Sequence, residues 1–196
     1  MFSTRTVMQL FEEADCVIAI GASIHASEVG GTETSSTLLY RLATATDAPT
    51  LSVLRNLVIV LIPSLNPDGA RMVGEWYDKY RDTKWEGGPM PWLYEKYAGH
   101  DINRDAFMLN LAENRNLARF MNSDWHPQVF LTMHQMPGNG ARFFVPPNSD
   151  PIDPNYDPVV WREAALLGSA MALELQRTGK SGVLSNGLYD YYWPGY

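Results

Sequence analysis

Three segments of this chain are almost continuously apolar, and each is short. "CVIAIGA" at 16–22, "RNLVIVLIPS" at 55–64 and "PQVFLTMHQ" at 127–135 have the length and β-branched content of buried strands. Strands that lack polar alternation are covered on both faces, as in a parallel sheet. Elsewhere the period lengthens to that of helices. Residues 32–44 put Leu38 and Leu42 one turn apart, and 110–122 predict a second helix. A long helix is predicted over 157–180. Asp157 caps it, Pro158 fits its first turn, Val160, Ala164, Leu167, Met171 and Leu175 form its apolar face, and Gly179 ends it. "NPDG" at 66–69 reads as a turn, and "EGGPMPWLYEKYAGHD" at 86–101 as a long surface loop. Strands alternating with helices predict an α/β fold, with a mostly parallel sheet sandwiched by helices.

Composition narrows the class. The chain has 196 residues, 45% of them hydrophobic and 19% charged, enough to bury the core of one domain. A net charge of −7 argues against a nucleic-acid partner, which needs a basic face. No apolar run approaches the roughly 20 residues of a membrane span. "MFSTRTVMQLFEEADC" has no apolar h-region, so no signal peptide is visible in this chain. The compartment is left open, a secreted or periplasmic parent included, as is the oligomeric state. Cys16 is the single cysteine; it excludes an internal disulfide and sits in the first strand as a small core residue.

The candidate chemistry lies where strands end. In parallel sheets ligands collect beyond the carboxyl ends of the strands. His25 and Glu28 follow the first strand, Asn66 and Asp68 the second, and His134 closes the third. A hydrolytic zinc takes about three ligands from His and carboxylate and keeps one position for water. A His-x-x-Glu pair and a distant His supply that set. "HDINRD" at 100–105 adds Asp101, suited to take the second N–H of a metal-bound imidazole, and Arg104, a planar fork for a carboxylate.

The order His25-x-x-Glu28, "NPDG", "DINR" and His134 resembles the zinc metallocarboxypeptidases of the carboxypeptidase A type, over nearly the whole chain. "GHDINRDAFML", "HQMPGNGARFFVPP" and "YYWPG" are similar to a bacterial branch of that family. The resemblance implies that His25, Glu28 and His134 bind zinc and that Asp101 orients His25. It implies that Asn103 and Arg104 hold the terminal carboxylate of a peptide substrate. It also implies an earlier arginine at the oxyanion, for which Arg81 is the nearest candidate and Arg71 the next. A mobile tyrosine would fall in "LYDYYWPGY", with Tyr192 the choice over Tyr189, Tyr191 and Tyr196.

The same resemblance implies a general-base glutamate on a strand after the tyrosine loop. Glu163 and Glu174, both on the long helix, cannot replace it. The expectation is therefore an incomplete catalytic domain over 1–196, with low activity by itself. Asp105 after "NR", where the family commonly has Asn, leaves the specificity pocket undefined. The rival readings are a related zinc deacylase or amidase acting on acylated amino acids or cell-wall peptides, a non-catalytic zinc- or peptide-binding fragment, and a plain α/β domain without metal.

Overall fold

The structure, a computed structural model, describes residues 16–136, 138, 141–149 and 154–188. The chain divides into two compact units, Met1–Gln135 and Met136–Tyr196.

The first unit is built on β1 (Cys16–Ala22), which lies between β2 (Leu57–Ile62) and β3 (Val129–Met133), both parallel to it. Cys16 pairs with Leu57 at one end, and Ala22 with Met133 at the other. The α/β expectation therefore holds, and every pairing among the described strands is parallel. Val17, Ala19 and Ala22 of β1 are buried, small enough to let strands and helices close in around them.

Two helices link β1 to β2. α1 (Gly30–Ala43) packs on β1 and β2, and α2 (Ala48–Asn56) packs on β2. The sequence reading missed α2, although its signals are present. Asp47 accepts from Thr50 N at 2.9 Å as the cap, and Pro49 sits in the first turn. Arg55 and Asn56, read as strand, end this helix instead.

"NPDG" is a helix start rather than a turn. Asn66 caps α3 (Pro67–Tyr80), its Oδ1 accepting from Gly69 N at 2.9 Å, with Asp68 in the first turn against the positive helix end. Gly69, Met72, Val73, Trp76 and Tyr80 share its more buried side. The following stretch is irregular, as expected, up to a 3-10 turn at Ile102–Arg104. α4 (Ala112–Arg119) runs into a π-helical turn at Phe120–Asp124, which together account for the helix expected over 110–122. Ile24, Leu65, Ile102 and Leu111 form a buried cluster, with Ile62, Tyr94, Ala98, Leu117 and Phe130 packed around it.

The second unit contains α5 (Pro158–Arg177) and the short parallel pair β4 (Phe143–Phe144) and β5 (Val183–Leu184). Asp157 caps α5, accepting from Val159 N at 2.8 Å. The expected apolar face is rotated. Val160, Leu167 and Met171 are exposed, whereas Trp161, Ala164, Ala165, Gly168, Ala172 and Leu175 are the more buried positions. The reason is Gly168, which lies so close to the Pro146 carbonyl that any Cβ would collide with it. Close backbone approach has set the helix's rotation, not side-chain bulk. Among the described residues no helix is long and apolar enough to cross a membrane.

Two glycines of α3 have opposite roles. A Cβ on Gly69 would run into the Tyr94 carbonyl and the Asn66 amide, whereas one on Gly74 would meet nothing. Gly69→Ala is expected to destabilise the protein by about 1–3 kcal/mol through overpacking. Gly74→Ala is expected to stabilise it by about 0.5–1 kcal/mol through helix propensity. Urea unfolding of the two variants checks both signs; a stabilised Gly69→Ala would contradict the packing at the α3 cap.

Candidate metal centre

The strand order brings the polar groups together. From β1 the chain crosses to β2 on one side and later returns to β3 on the other. β1 and β3 are adjacent and parallel, so their carboxyl ends lie side by side at the edge where such sheets bind ligands. His25 and Glu28 leave β1, and His134 directly follows β3.

The exit from β1 is held locally. Ser23 takes a left-handed φ of 50°, and its hydroxyl donates to Glu28 O at 2.8 Å. Glu28 N donates to His25 O at 3.0 Å, closing a turn that sets the two side chains on one side. A non-glycine residue at positive φ is strained and persists only where its surroundings over-determine it. Here the surroundings are the Glu28 carbonyl and Thr32, whose hydroxyl reaches Ser23 Oγ at 2.9 Å and Pro63 O at 2.7 Å.

Glu28 is the centre of the cluster. Its Oε1 is 3.0 Å from His25 Nδ1, and its Oε2 is 3.0 Å from His134 Nδ1. Gln135 N donates to Oε2 at 3.0 Å, and the Gln135 side chain accepts from Gly30 N at 2.7 Å. The two imidazoles meet edge to face, with centroids 4.8 Å apart. On its far side His25 places Nε2 3.1 Å from Asp101 Oδ1. Asp101 is itself fixed at the 3-10 turn, Oδ1 accepting from Asn103 N at 2.8 Å. The ligand side chains are mostly buried, 15% exposed for His25 and 19% for Glu28 and His134.

This arrangement fits zinc. His25, Glu28 and His134 each offer a donor atom, all within 4.8 Å of one another. Donors around a tetrahedral zinc, at about 2.0–2.1 Å from the ion, stand roughly 3.3 Å apart. The set is two nitrogens and a carboxylate, with room for a fourth ligand. With a metal bound, the Asp101 bond would favour the tautomer that keeps the proton on Nε2 and leaves Nδ1 of His25 for the ion.

Protonation follows the same geometry. Burial works against the His25 imidazolium, but hydrogen bonds and charge from Asp101 and Glu28 outweigh it and raise its pKa to about 9. Burial would push the Glu28 carboxyl up, yet its hydrogen bonds to His134, His25 and Gln135 N hold it near 2. Asp101 is likewise held below the ordinary carboxylate range: burial opposes this, and the bonds from His25 and Asn103 N prevail.

The other expected residues are scattered more widely. Asn103 and Arg104, both half-buried, share the 3-10 turn with Asp101. Arg81 does not join the cluster. It is exposed at the end of α3, 3.8 Å from Asp78 and 3.9 Å from Asp82. Arg71 is exposed on α3 and bonded to Glu75 at 2.7 Å. Tyr192, with its competitors Tyr189, Tyr191 and Tyr196, lies outside the described residues. Asp105 is fully buried rather than pocket-lining: it accepts from His100 at 2.8 Å, Leu111 N at 2.8 Å and Asn114 at 3.2 Å. Sequence reasoning did not pick out Tyr94, whose ring packs on His25 with centroids 5.6 Å apart, nor Gln135. Burial and nearby carboxylates push the Tyr94 phenol well above its usual range, so it stays protonated.

Comparison with known proteins agrees with this picture. The profile of a family described as zinc carboxypeptidase matches residues 12–129, more than half of the chain. No curated protein sequence is significantly similar. Among solved structures, a metallo-carboxypeptidase from Pseudomonas aeruginosa, in complex with (2-guanidinoethylmercapto)succinic acid, superposes with a TM-score of 0.60 at 21% identity over 93% of this chain. A metallo-carboxypeptidase from Burkholderia cenocepacia gives 0.61 at 17% identity over 92%, and the carboxypeptidase A of Helicoverpa armigera 0.58 at 14% over 97%. The chain spans 42% of each bacterial protein's length and 50% of the insect one's.

Metal binding should be linked to protons. With its pKa raised to about 9, His25 is protonated at neutral pH, and a metal must displace that proton. Apparent zinc affinity should therefore climb by about tenfold per pH unit from pH 7 towards pH 9, then level off. Chelator competition across that range measures it, and a flat profile would remove His25 from the ligand set. His134→Ala should forfeit a substantial share of the roughly 10–16 kcal/mol with which small zinc sites hold the ion.

Proposed function

The chain belongs to the zinc carboxypeptidase family, and on that footing we propose that it carries the metal-binding part of a peptide hydrolase that removes C-terminal residues. The observation that carries this reading is the convergence of His25, Glu28 and His134, with Asp101 behind His25. Zinc bound there would supply Lewis acidity, polarising a carbonyl oxygen and lowering the pKa of water towards about 7.

The chain's own residues supply the rest. Asp101 keeps a proton on His25 Nε2, so that Nδ1 is the nitrogen that gives up its proton to a bound metal. Glu28, held ionised, offers charge to offset that of the ion. Asn103 and Arg104 follow Asp101 on one rigid turn. A terminal carboxylate clamped by Arg104's fork would bring the last peptide bond to a fixed distance from the metal. The Pseudomonas relative is in complex with a compound carrying a succinic acid group, which is in keeping with a carboxylate-binding site here.

A base for the attacking water is a separate matter. Three carboxylates of this region are already engaged. Glu28 serves both imidazoles, Asp101 serves His25 and Asn103 N, and Glu95 serves Ile102 N and Asn66. In isolation the chain should accordingly bind zinc and turn peptide over slowly, since a positioned base contributes about 10²–10⁴-fold.

Two measurements test the proposal. In a form of the enzyme that cleaves peptide, Arg104→Lys should keep zinc and lose activity by about 10²-fold or more, because a point charge cannot reproduce the fork. Free-acid peptides should be cleaved and their C-terminal amides spared. Equal cleavage of the two would exclude an exopeptidase and favour an amidase.

A further inference from the structure

Asn66 and Glu95 lie behind the ligand loops and give no atom to the metal cluster. Both are buried, 2% and 9% exposed. The Asn66 amide nitrogen faces three acceptors: Ile24 O at 3.2 Å, Tyr94 O at 3.2 Å and Glu95 Oε1 at 3.4 Å. Two hydrogens are shared among them. Glu95 Oε1 also accepts from Ile102 N at 3.2 Å.

These contacts join segments far apart in sequence. Ile24 precedes His25, and Ile102 stands between Asp101 and Asn103. A chain of hydrogen bonds therefore runs from the His25 loop through Asn66 and Glu95 to the 3-10 turn. It parallels the direct bond between His25 and Asp101.

We infer that Glu95 is a positioning residue of this site: as the acceptor shared by Ile102 N and Asn66, it fixes the Asp101–Arg104 turn against the His25 loop. The inference deepens, and rests on, the reading of His25, Glu28 and His134 as metal ligands. The role calls for an oxygen acceptor and not for a charge, since both donors to Glu95 are neutral. Burial first, then the nearby Asp101 and Glu113, raise the Glu95 carboxyl to about 7, so the neutral form is populated at physiological pH. Glutamine, with the same shape and the same acceptor, should serve in its place. A side chain lacking that oxygen should leave Ile102 N buried without a partner and the turn free to shift.

The experiment compares wild type with Glu95→Gln, Glu95→Ala and Glu95→Met, the last keeping the volume if the alanine variant does not fold. Two readouts are taken. In metal-free protein, Ile102 amide exchange should quicken by about tenfold or more in the Ala and Met variants and stay unchanged in Gln. The His25 Nε2–H resonance, hydrogen-bonded to Asp101, should move or broaden in the same two variants alone. In the zinc titration, affinity should fall about 10–100-fold in Ala and Met and stay within about threefold in Gln, as for other residues that orient ligands. Val58→Ala in β2, destabilised away from the turn, should keep wild-type affinity. Wild-type zinc affinity in Glu95→Met, or a Gln variant as impaired as Ala, overturns the inference. So does a Val58→Ala loss equal to that of Glu95→Ala. Should wild type bind no zinc, the metal reading alone fails, and the Ile102 and His25 signals still decide whether Glu95 positions the turn.

Discussion

Everything at this site follows from the parallel pairing of β1 with a strand on each side. Parallel strands release their chains at the same edge of the sheet, so groups distant in sequence arrive together without any long-range side-chain search. The order β2-β1-β3 sets the carboxyl ends of β1 and β3 side by side, at the crevice where such sheets bind ligands. The loops that fill it are anchored from below. Ile24, Leu65 and Ile102 are buried, and each is adjacent in sequence to a polar group of the site: His25, Asn66, and the pair Asp101 and Asn103. Burying an apolar side chain of this size is worth about 1.5–3 kcal/mol. That gain is what allows the neighbouring polar residue to be held in an otherwise irregular segment.

Polar burial beneath these loops is extensive and mostly satisfied, Ser64 Oγ and Glu113 Oε2 being buried without a partner. Asp105, Asn114, Asn66 and Ser23 are all nearly inaccessible, and each has partners at hydrogen-bonding distance. An unpartnered group in such a place costs about 1–3 kcal/mol. The network is accordingly specific as well as stabilising: Asp105 accepts Leu111 N ahead of α4, Asn114 returns from α4 to Ile102 O at 2.7 Å, and the 3-10 turn is gripped from two directions.

Much of this was legible in the sequence, and the reasons are physical. The three buried strands show as apolar runs because parallel strands have no solvent face. His25, Glu28 and His134 could be selected because donor chemistry coincided with strand ends. The helices α2 and α3 were lost because their capping residues, Asp47 and Asn66, also suit turns, and only the following periodicity separates the two. The rotation of α5 was hidden because it depends on the distance from Gly168 to a carbonyl elsewhere in the chain. Glu95 was hidden for a similar reason: a glutamate in a Pro- and aromatic-rich loop reads as surface, and only the tertiary structure shows it facing a cap residue and a backbone N–H. Arg81 was proposed on sequence proximity, which says nothing of direction on a helix end.

Glu28 and His134 are 106 positions apart along the chain. An ion held between them would tie a loop of that length, in the manner of a disulfide. In chain-entropy terms, a cross-link spanning about a hundred residues removes close to 4.7 kcal/mol of freedom from the unfolded ensemble, an upper figure where strands already draw the ends together. The metal would then be a fastener as well as a reagent. β3 is only five residues long, and its hold on β1 would be reinforced at the very residue that follows it. Loading with metal and completing the sheet would become one cooperative event.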